Sequence, residues 1–124
     1  MAIRVMVVDD TEHVREMLAT MLELDGFEVV AKLDGGAAAI DTVASSAPNV
    51  IVMDYKMPQM DGIAATKEIR KIAQDVPVIL YTAYLDDELE ARAREAGAAL
   101  CLGKVEGLEQ LERRISEMCI ELLN

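Results

Sequence analysis

The stretch "NVIVMDYKMPQMDG", residues 49–62, decides the fold. Val50 to Met53 are four apolar residues in a row, which reads as the body of a strand buried on both faces. Asp54 then stands directly against the end of that strand, and a loop containing Pro58 leads to Asp61-Gly62. A core strand that closes on an acid needs a physical reason.

Four more runs share this character: "IRVMVV" (3–8), "FEVVAK" (27–32), "PVILYT" (77–82) and "AALCLG" (98–103). Most are continuous rather than alternating, as strands of a parallel sheet are when both faces are covered. Helical patterns lie between them. Residues 11–25 put Val14, Met17, Leu18, Met21 and Leu22 on one helix face, with Thr11 or Asp10 as cap and Gly26 as stop. Residues 35–46 are Ala-rich, with Asp34 as a candidate cap, and residues 61–74 begin on Asp61, another candidate cap. Residues 85–96 stop at Gly97, and residues 107–123 carry a stripe of Leu108, Leu111, Ile115, Met118 and Leu122. That stripe reads as core more than as a dimer seam.

Five strands alternating with five helices predict an α/β domain, doubly wound, with helices on both faces of a parallel sheet. A chain of 124 residues suits one domain, 1–124. It buries roughly 65–70% of its unfolded surface and needs no staple to fold. The connections are short, and no linker, repeat or low-complexity tract interrupts them. The last helical pattern runs to the end of the chain, so no output domain is expected within it.

Hydrophobic residues make up 52% with no Trp and one Phe, so the core must be aliphatic. The formal net charge of -11 argues against direct binding to nucleic acid or to an anionic membrane, because phosphate contacts need Lys and Arg. Cys101 and Cys119 match no metal-ligand or CxxC spacing and read as free thiols in a reducing compartment. No signal-peptide core fits "MAIRVMVVDD", and no apolar run nears the ~18 residues of a membrane span. A cytoplasmic location is expected.

In such a sheet, chemistry sits at the carboxyl ends of the strands. Asp9 and Asp10 end the first strand, Asp54 the third and Thr82 the fourth, while Lys104 follows the fifth. Three carboxylates close together repel one another and gain from a hard cation such as Mg²⁺. A cation and an ammonium beside one carboxylate suit that carboxylate as a nucleophile toward phosphorus. Thr82 can donate to a phosphoryl oxygen, and Ala83 leaves its backbone N–H open to approach. Singly, Asp10, Asp34 or Asp61 would read as helix caps, and a lone Lys as solvated. Their joint placement on one edge is what points to a site.

The segments "VMVVDD", "VIVMDYKMPQMDG", "PVILYTA" and "GAALCLGK" together resemble the receiver domain of two-component response regulators, over essentially the whole chain. The resemblance implies a flavodoxin-like (βα)5 sheet of order 2-1-3-4-5. It implies that Asp54 accepts a phosphoryl group from a histidine kinase phosphohistidine. Asp10 would bind Mg²⁺ directly, Asp9 through water, and the backbone carbonyl of Lys56 would complete the metal site with Asp54. Thr82 and Lys104 take the family's hydroxyl and lysine roles. The implied mechanism is a population shift of the fourth helix, fifth strand and fifth helix. That face would control a downstream protein target, or a homodimer. No catalysis is implied beyond the domain's own phosphorylation and dephosphorylation.

The sequence departs from the family pattern in two places. Cys101 stands where an aromatic usually swings inward with the hydroxyl, so the aromatic half of the usual coupling is missing; Tyr81 or Tyr84 could take part of it, although the simpler reading has Tyr81 packed and Tyr84 at the loop surface. Val105 follows Lys104 where proline is common, which predicts a trans peptide, as in receivers attached to helix-turn-helix output domains. Lys56 and Tyr84 flank the phosphoryl position, and their bulk and charge predict slow self-dephosphorylation. His13, the only histidine, reads as a solvent-exposed residue. The acidic runs at 86–90 and 106–112 read as solvated helix faces with some role in docking.

Other classes fit less well. An N-terminal receiver of a longer transcription regulator and a degenerate docking module both share this fold. A flavin protein would need a Ser/Thr/Gly-rich loop where "DDTEHVRE" stands, and an aspartyl-phosphate phosphatase a DxD after the first strand.

Overall fold

Each continuous apolar run forms a strand and each helical pattern a helix in the computed structural model of the chain, which describes residues 2–123 and side chains through residue 121. The strands are β1 (Arg4–Val8), β2 (Glu28–Leu33), β3 (Val50–Met53), β4 (Val78–Thr82) and β5 (Leu100–Gly103). The helices are α1 (Glu12–Leu24), α2 (Gly36–Ser46), α3 (Gly62–Ile72), α4 (Asp87–Ala96) and α5 (Leu108–Met118). All strand pairs are parallel, in the order β2-β1-β3-β4-β5, the flavodoxin-like arrangement. The chain leaves β1 toward β2 and returns to β3 on the other side. The crevice of the sheet therefore opens at the carboxyl ends of β1 and β3.

The sheet separates two aliphatic cores. Met6, Val8, Ile51, Met53 and Leu80 pack toward α2, α3 and α4. Val5, Val7, Val52, Ile79 and Tyr81 pack toward α1 and α5. All four residues of β3 are buried, which is why the sequence there shows no polar alternation. Each fully buried Ile, Leu or Met contributes about 1.5–3 kcal/mol.

Local signals set the helix ends. Asp61 Oδ1 accepts from Ala64 N at 2.8 Å and starts α3; Asp86 does the same for Leu89 N in α4. Gly97, at φ +101°, stops α4 in a conformation that costs a larger residue strain. Asp34 does not cap α2. Gly35 occupies that position, because the first turn is drawn in where Gly36 packs on α3; a Cβ there would meet Ala65 Cβ and Met60 Sδ at 3.0 Å. Thr11 is the first boundary residue of α1, but its side chain makes no capping bond.

Two helix expectations need correction. On α1 the buried residues are Leu18, Ala19 and Leu22, while Met17 and Met21 are 61% and 41% exposed. The helix is rotated so that small Ala19 is buried beside Leu18 and Leu22, and part of the apolar stripe faces outward. The last helix does not run to the end: α5 stops at Met118 and a 3₁₀ turn follows over Ile120–Leu123. No basic residue lies in its last turn, and Glu117 and Glu121 place negative charge at the negative end of the helix dipole. Leu122 lies outside the described side chains. The loop after β5 is trans as expected, with Val105 exposed in a 3₁₀ turn over Lys104–Glu106.

Candidate functional site

The strand ends bring the predicted residues together. One oxygen each from Asp9, Asp10 and Asp54 lies within 4.8 Å of the others, with Asp9 buried, Asp10 exposed and Asp54 between. Asp9 is held on every side. Its Oδ1 accepts from Thr11 N at 2.9 Å, its Oδ2 accepts from Lys104 Nζ at 3.1 Å, and its backbone oxygen accepts from Arg15 Nη1 at 2.8 Å. Asp10 keeps its carboxylate toward solvent.

Asp54 Oδ1 accepts from Tyr55 N at 2.8 Å, and Asp54 Oδ2 faces Lys104 Nζ at 3.8 Å. Its pKa is raised to about 6, first by burial, with Asp9 and Asp10 adding repulsion and Lys104 opposing them. Three carboxylates against one ammonium leave a local deficit of positive charge. Oxygen donors at this spacing suit a hard divalent cation, and Mg²⁺ takes such partial carboxylate shells.

A crevice of about 550 Å³ opens over the cluster, lined by Asp10, Asp54, Lys56, Ala83, Tyr84 and Lys104 among others. Thr82 is fully buried next to Ala83 and does not itself line the crevice. Its Oγ1 accepts from Tyr84 N at 3.0 Å, which leaves the hydroxyl proton uncommitted by that bond. Lys56 Nζ sits 5.0 Å above the Tyr84 ring, so two loops meet across the mouth.

Cys101 pairs with Leu80, not with Thr82, and packs on the α4 side of the sheet. Burial pushes its thiol up to about 11. Tyr81 packs on the opposite face, toward α1 and α5, while Tyr84 is exposed at the loop surface. The simpler reading of both tyrosines therefore stands. His13 is exposed.

Sequence reasoning gave no part to Tyr55, Gly62 or Arg92. Gly62 had a signal in "MDG": a Cβ there would meet the Asp54 carbonyl oxygen, with Tyr55 Cα at 3.0 Å. The glycine lets α3 start against the loop that carries Asp54. Tyr55 and Arg92 are joined only by the fold, and no spacing announces them.

The response regulator receiver domain family matches residues 5–116. This chain is a member of that family. As a receiver domain of two-component systems it has the general phospho-accepting role. The regulatory protein AtoC of Escherichia coli (strain K12) is 43% identical over 95 residues, 77% of this chain and 20% of that protein. The chemotaxis protein CheY of Bacillus subtilis (strain 168) is 39% identical over 98 residues, 79% of this chain and 82% of that protein. The receiver thus spans a minor part of one relative and most of the other. Among solved structures, a DNA-binding response regulator of the LuxR family from Staphylococcus aureus superposes with a TM-score of 0.86 at 26% identity, covering 94% of this chain and 98% of that one. No helix of the described receiver is long and apolar enough to cross a membrane.

Proposed function

We propose that Asp54 takes a phosphoryl group from the phosphohistidine of a histidine kinase or phosphotransfer protein, and that the modified receiver shifts its α4-β5-α5 face to control a protein partner. The observation that carries this reading is the placement of Asp54. It is a partly buried carboxylate with Lys104 Nζ 3.8 Å away and two further carboxylates at its side. An Asp54 oxygen forms the new bond to phosphorus as the P–N bond to histidine breaks. The imidazole leaves with that bond's electron pair.

Lys104 is placed to offset charge on the transferring group. The free proton of Thr82 and the exposed backbone of Ala83 can donate to its oxygens. Asp10, Asp54 and the backbone carbonyl of Lys56 would hold Mg²⁺ directly. Asp9, whose carboxylate oxygens accept from Thr11 N and Lys104, would act through water, as the family resemblance implies. When bound there, Mg²⁺ would supply positive charge to offset that of the phosphoryl oxygens. Lys56 and Tyr84 narrow the mouth and slow the entry of attacking water, which lengthens the phosphorylated lifetime.

The domain works in the cytoplasm, touches no nucleic acid or membrane itself, and catalyses only its own phosphorylation and dephosphorylation. A second reading has it serve a transcription regulator, and its likeness to the DNA-binding response regulator from Staphylococcus aureus supports that.

The test is intact mass after incubation with acetyl phosphate, with and without Mg²⁺, on the natural sequence and on Asp54→Asn. A Mg²⁺-dependent gain of one phosphoryl group, lost in the variant, is expected. Absence of any gain overturns the reading and leaves a docking module that takes no phosphate.

A further inference from the structure

The residue after Asp54 is tied both to the site and to α4. Tyr55 N donates to Asp54 Oδ1 at 2.8 Å, and Tyr55 O accepts from Gly62 N at 2.7 Å. Its backbone is thus clamped from both sides, and its side chain leaves the loop in a fixed direction. The Tyr55 ring faces the Arg92 guanidinium, with Arg92 Cζ 6.0 Å from the ring centroid and Nη1 3.4 Å from Tyr55 Oη. Arg92 lies in the second turn of α4. The carboxylates of Asp61 and Glu88 also face it, so the guanidinium is drawn to this corner of the molecule.

At the end of β5 Lys104 reaches Asp9 and Asp54, but among the described residues no aromatic side chain of β5 joins the site to α4. Cys101 is short, buried and opposite Leu80, and Tyr81 points to the other face of the sheet. Room for movement exists where Tyr55 sits: a groove of about 370 Å³ runs between the loop after β3 and α4, with Tyr55, Met57, Leu89 and Arg92 on its walls.

We propose that Tyr55 and Arg92 act as positioning residues that carry the state of Asp54 to α4, in place of an aromatic at position 101. This inference rests on the phosphoacceptor reading of Asp54. When an Asp54 oxygen becomes bonded to phosphorus, the carboxylate charge on Oδ1 that Tyr55 N–H sees is redistributed. The peptide reorients, the ring follows, and Arg92 moves with the ring. α4 is thereby pulled or released from the site side, without any change at Cys101.

The test uses the whole chain and beryllofluoride with Mg²⁺ as a phosphoryl stand-in at saturation. Backbone amide shifts of residues 87–96 are recorded by NMR on the natural sequence, Arg92→Gln, Tyr55→Leu and Cys101→Ala. Bound beryllofluoride is counted separately by its fluorine signal. Expected is a loss of at least half of the α4 shift response in both Arg92→Gln and Tyr55→Leu, with bound beryllofluoride retained in Arg92→Gln, and a full response in Cys101→Ala. A full response in either Tyr55→Leu or Arg92→Gln, or its loss in Cys101→Ala, overturns the inference. So does an α4 that does not respond in the natural sequence although the fluorine signal shows binding. If the natural sequence binds no beryllofluoride and gains no mass from acetyl phosphate, the phosphoacceptor reading itself has failed.

Discussion

Lys104 stands closer to Asp9 than to Asp54, at 3.1 Å against 3.8 Å. The nearer partner is also the drier one, with the Asp9 side chain 4% exposed and that of Asp54 11%. The lysine therefore has a structural duty besides any toward a transferring group: it answers a carboxylate that is nearly out of water.

Removing that ammonium should show in stability before it shows in chemistry. Lys104→Met leaves Asp9 with Thr11 N as its remaining carboxylate donor. The expected loss without Mg²⁺ is about 1–3 kcal/mol, the cost of an underpaired buried group. A cation in the cluster should return part of it. Urea unfolding with and without Mg²⁺ checks this; equal losses under both conditions count against it.

Gly62 admits no side chain without displacing its neighbours. Gly62→Ala puts a Cβ 2.8 Å from Leu80 Cδ2 and against the Asp54 carbonyl oxygen. Overpacking of this kind costs about 1–3 kcal/mol. A urea midpoint equal to that of the natural sequence would refute the account of why glycine stands there.

Glu112 gives the domain a pH dependence of its own. Its Oε2 is buried without a hydrogen-bond partner. Burial, and then the neighbouring Asp25, push its pKa from 4.5 up to about 7. The folded state holds this proton more tightly than the unfolded state. Its contribution to stability is therefore complete below the unfolded value and is lost as pH rises through the folded value. Partial exposure screens the effect to about 1 kcal/mol. Asp54 shifts in the same direction, so the measurement is the difference between the natural sequence and Glu112→Gln, without metal, at pH 5 and pH 8. The variant should gain relative stability at the higher pH, and a constant difference would refute the assignment.

The Lys56–Tyr84 contact should set the lifetime of the phosphorylated state. An exposed cation–π contact is worth about 0.5–1 kcal/mol, which converts to a rate change of about 2- to 5-fold. Lys56→Ala and Tyr84→Ala should each shorten the half-life, followed by mass after the phosphodonor is removed. A half-life of seconds in the natural sequence with Mg²⁺ present would sink the idea of slow self-dephosphorylation.

Both thiols should be silent in the folded protein. Cys101 and Cys119 are buried, and burial raises the pKa of each. A thiol reagent at pH 8 should label neither within minutes, and both in urea. Fast labelling of the native chain would contradict the packing of Cys101 under α4.

The five strands were legible because strands covered on both faces leave uninterrupted apolar runs. The acids, Thr82 and Lys104 were legible because each ends or follows such a run. Asp61 and Gly97 announced the boundaries of α3 and α4 by chemistry that belongs to single residues. The rotation of α1 was not legible, because Met17 and Met21 fit the same periodicity as Leu18 and Leu22, and only the sheet chooses between them. Asp34 lost its capping position to a close approach between α2 and α3 that no local pattern encodes. The contact of Tyr55 with Arg92 joins residues 37 positions apart, and cation–π pairs carry no spacing rule.

The sheet's two faces hold separate sets of core side chains. A cavity opened at Ile69 relaxes among α2, α3 and α4, and one opened at Leu111 relaxes between α1 and α5. The costs of Ile69→Val and Leu111→Ala should therefore sum in the double variant to within about 0.5 kcal/mol. Both costs nevertheless subtract from one small folding free energy, so each substitution tolerated under α4 leaves less room for one under α1 and α5, although neither side repacks in answer to the other.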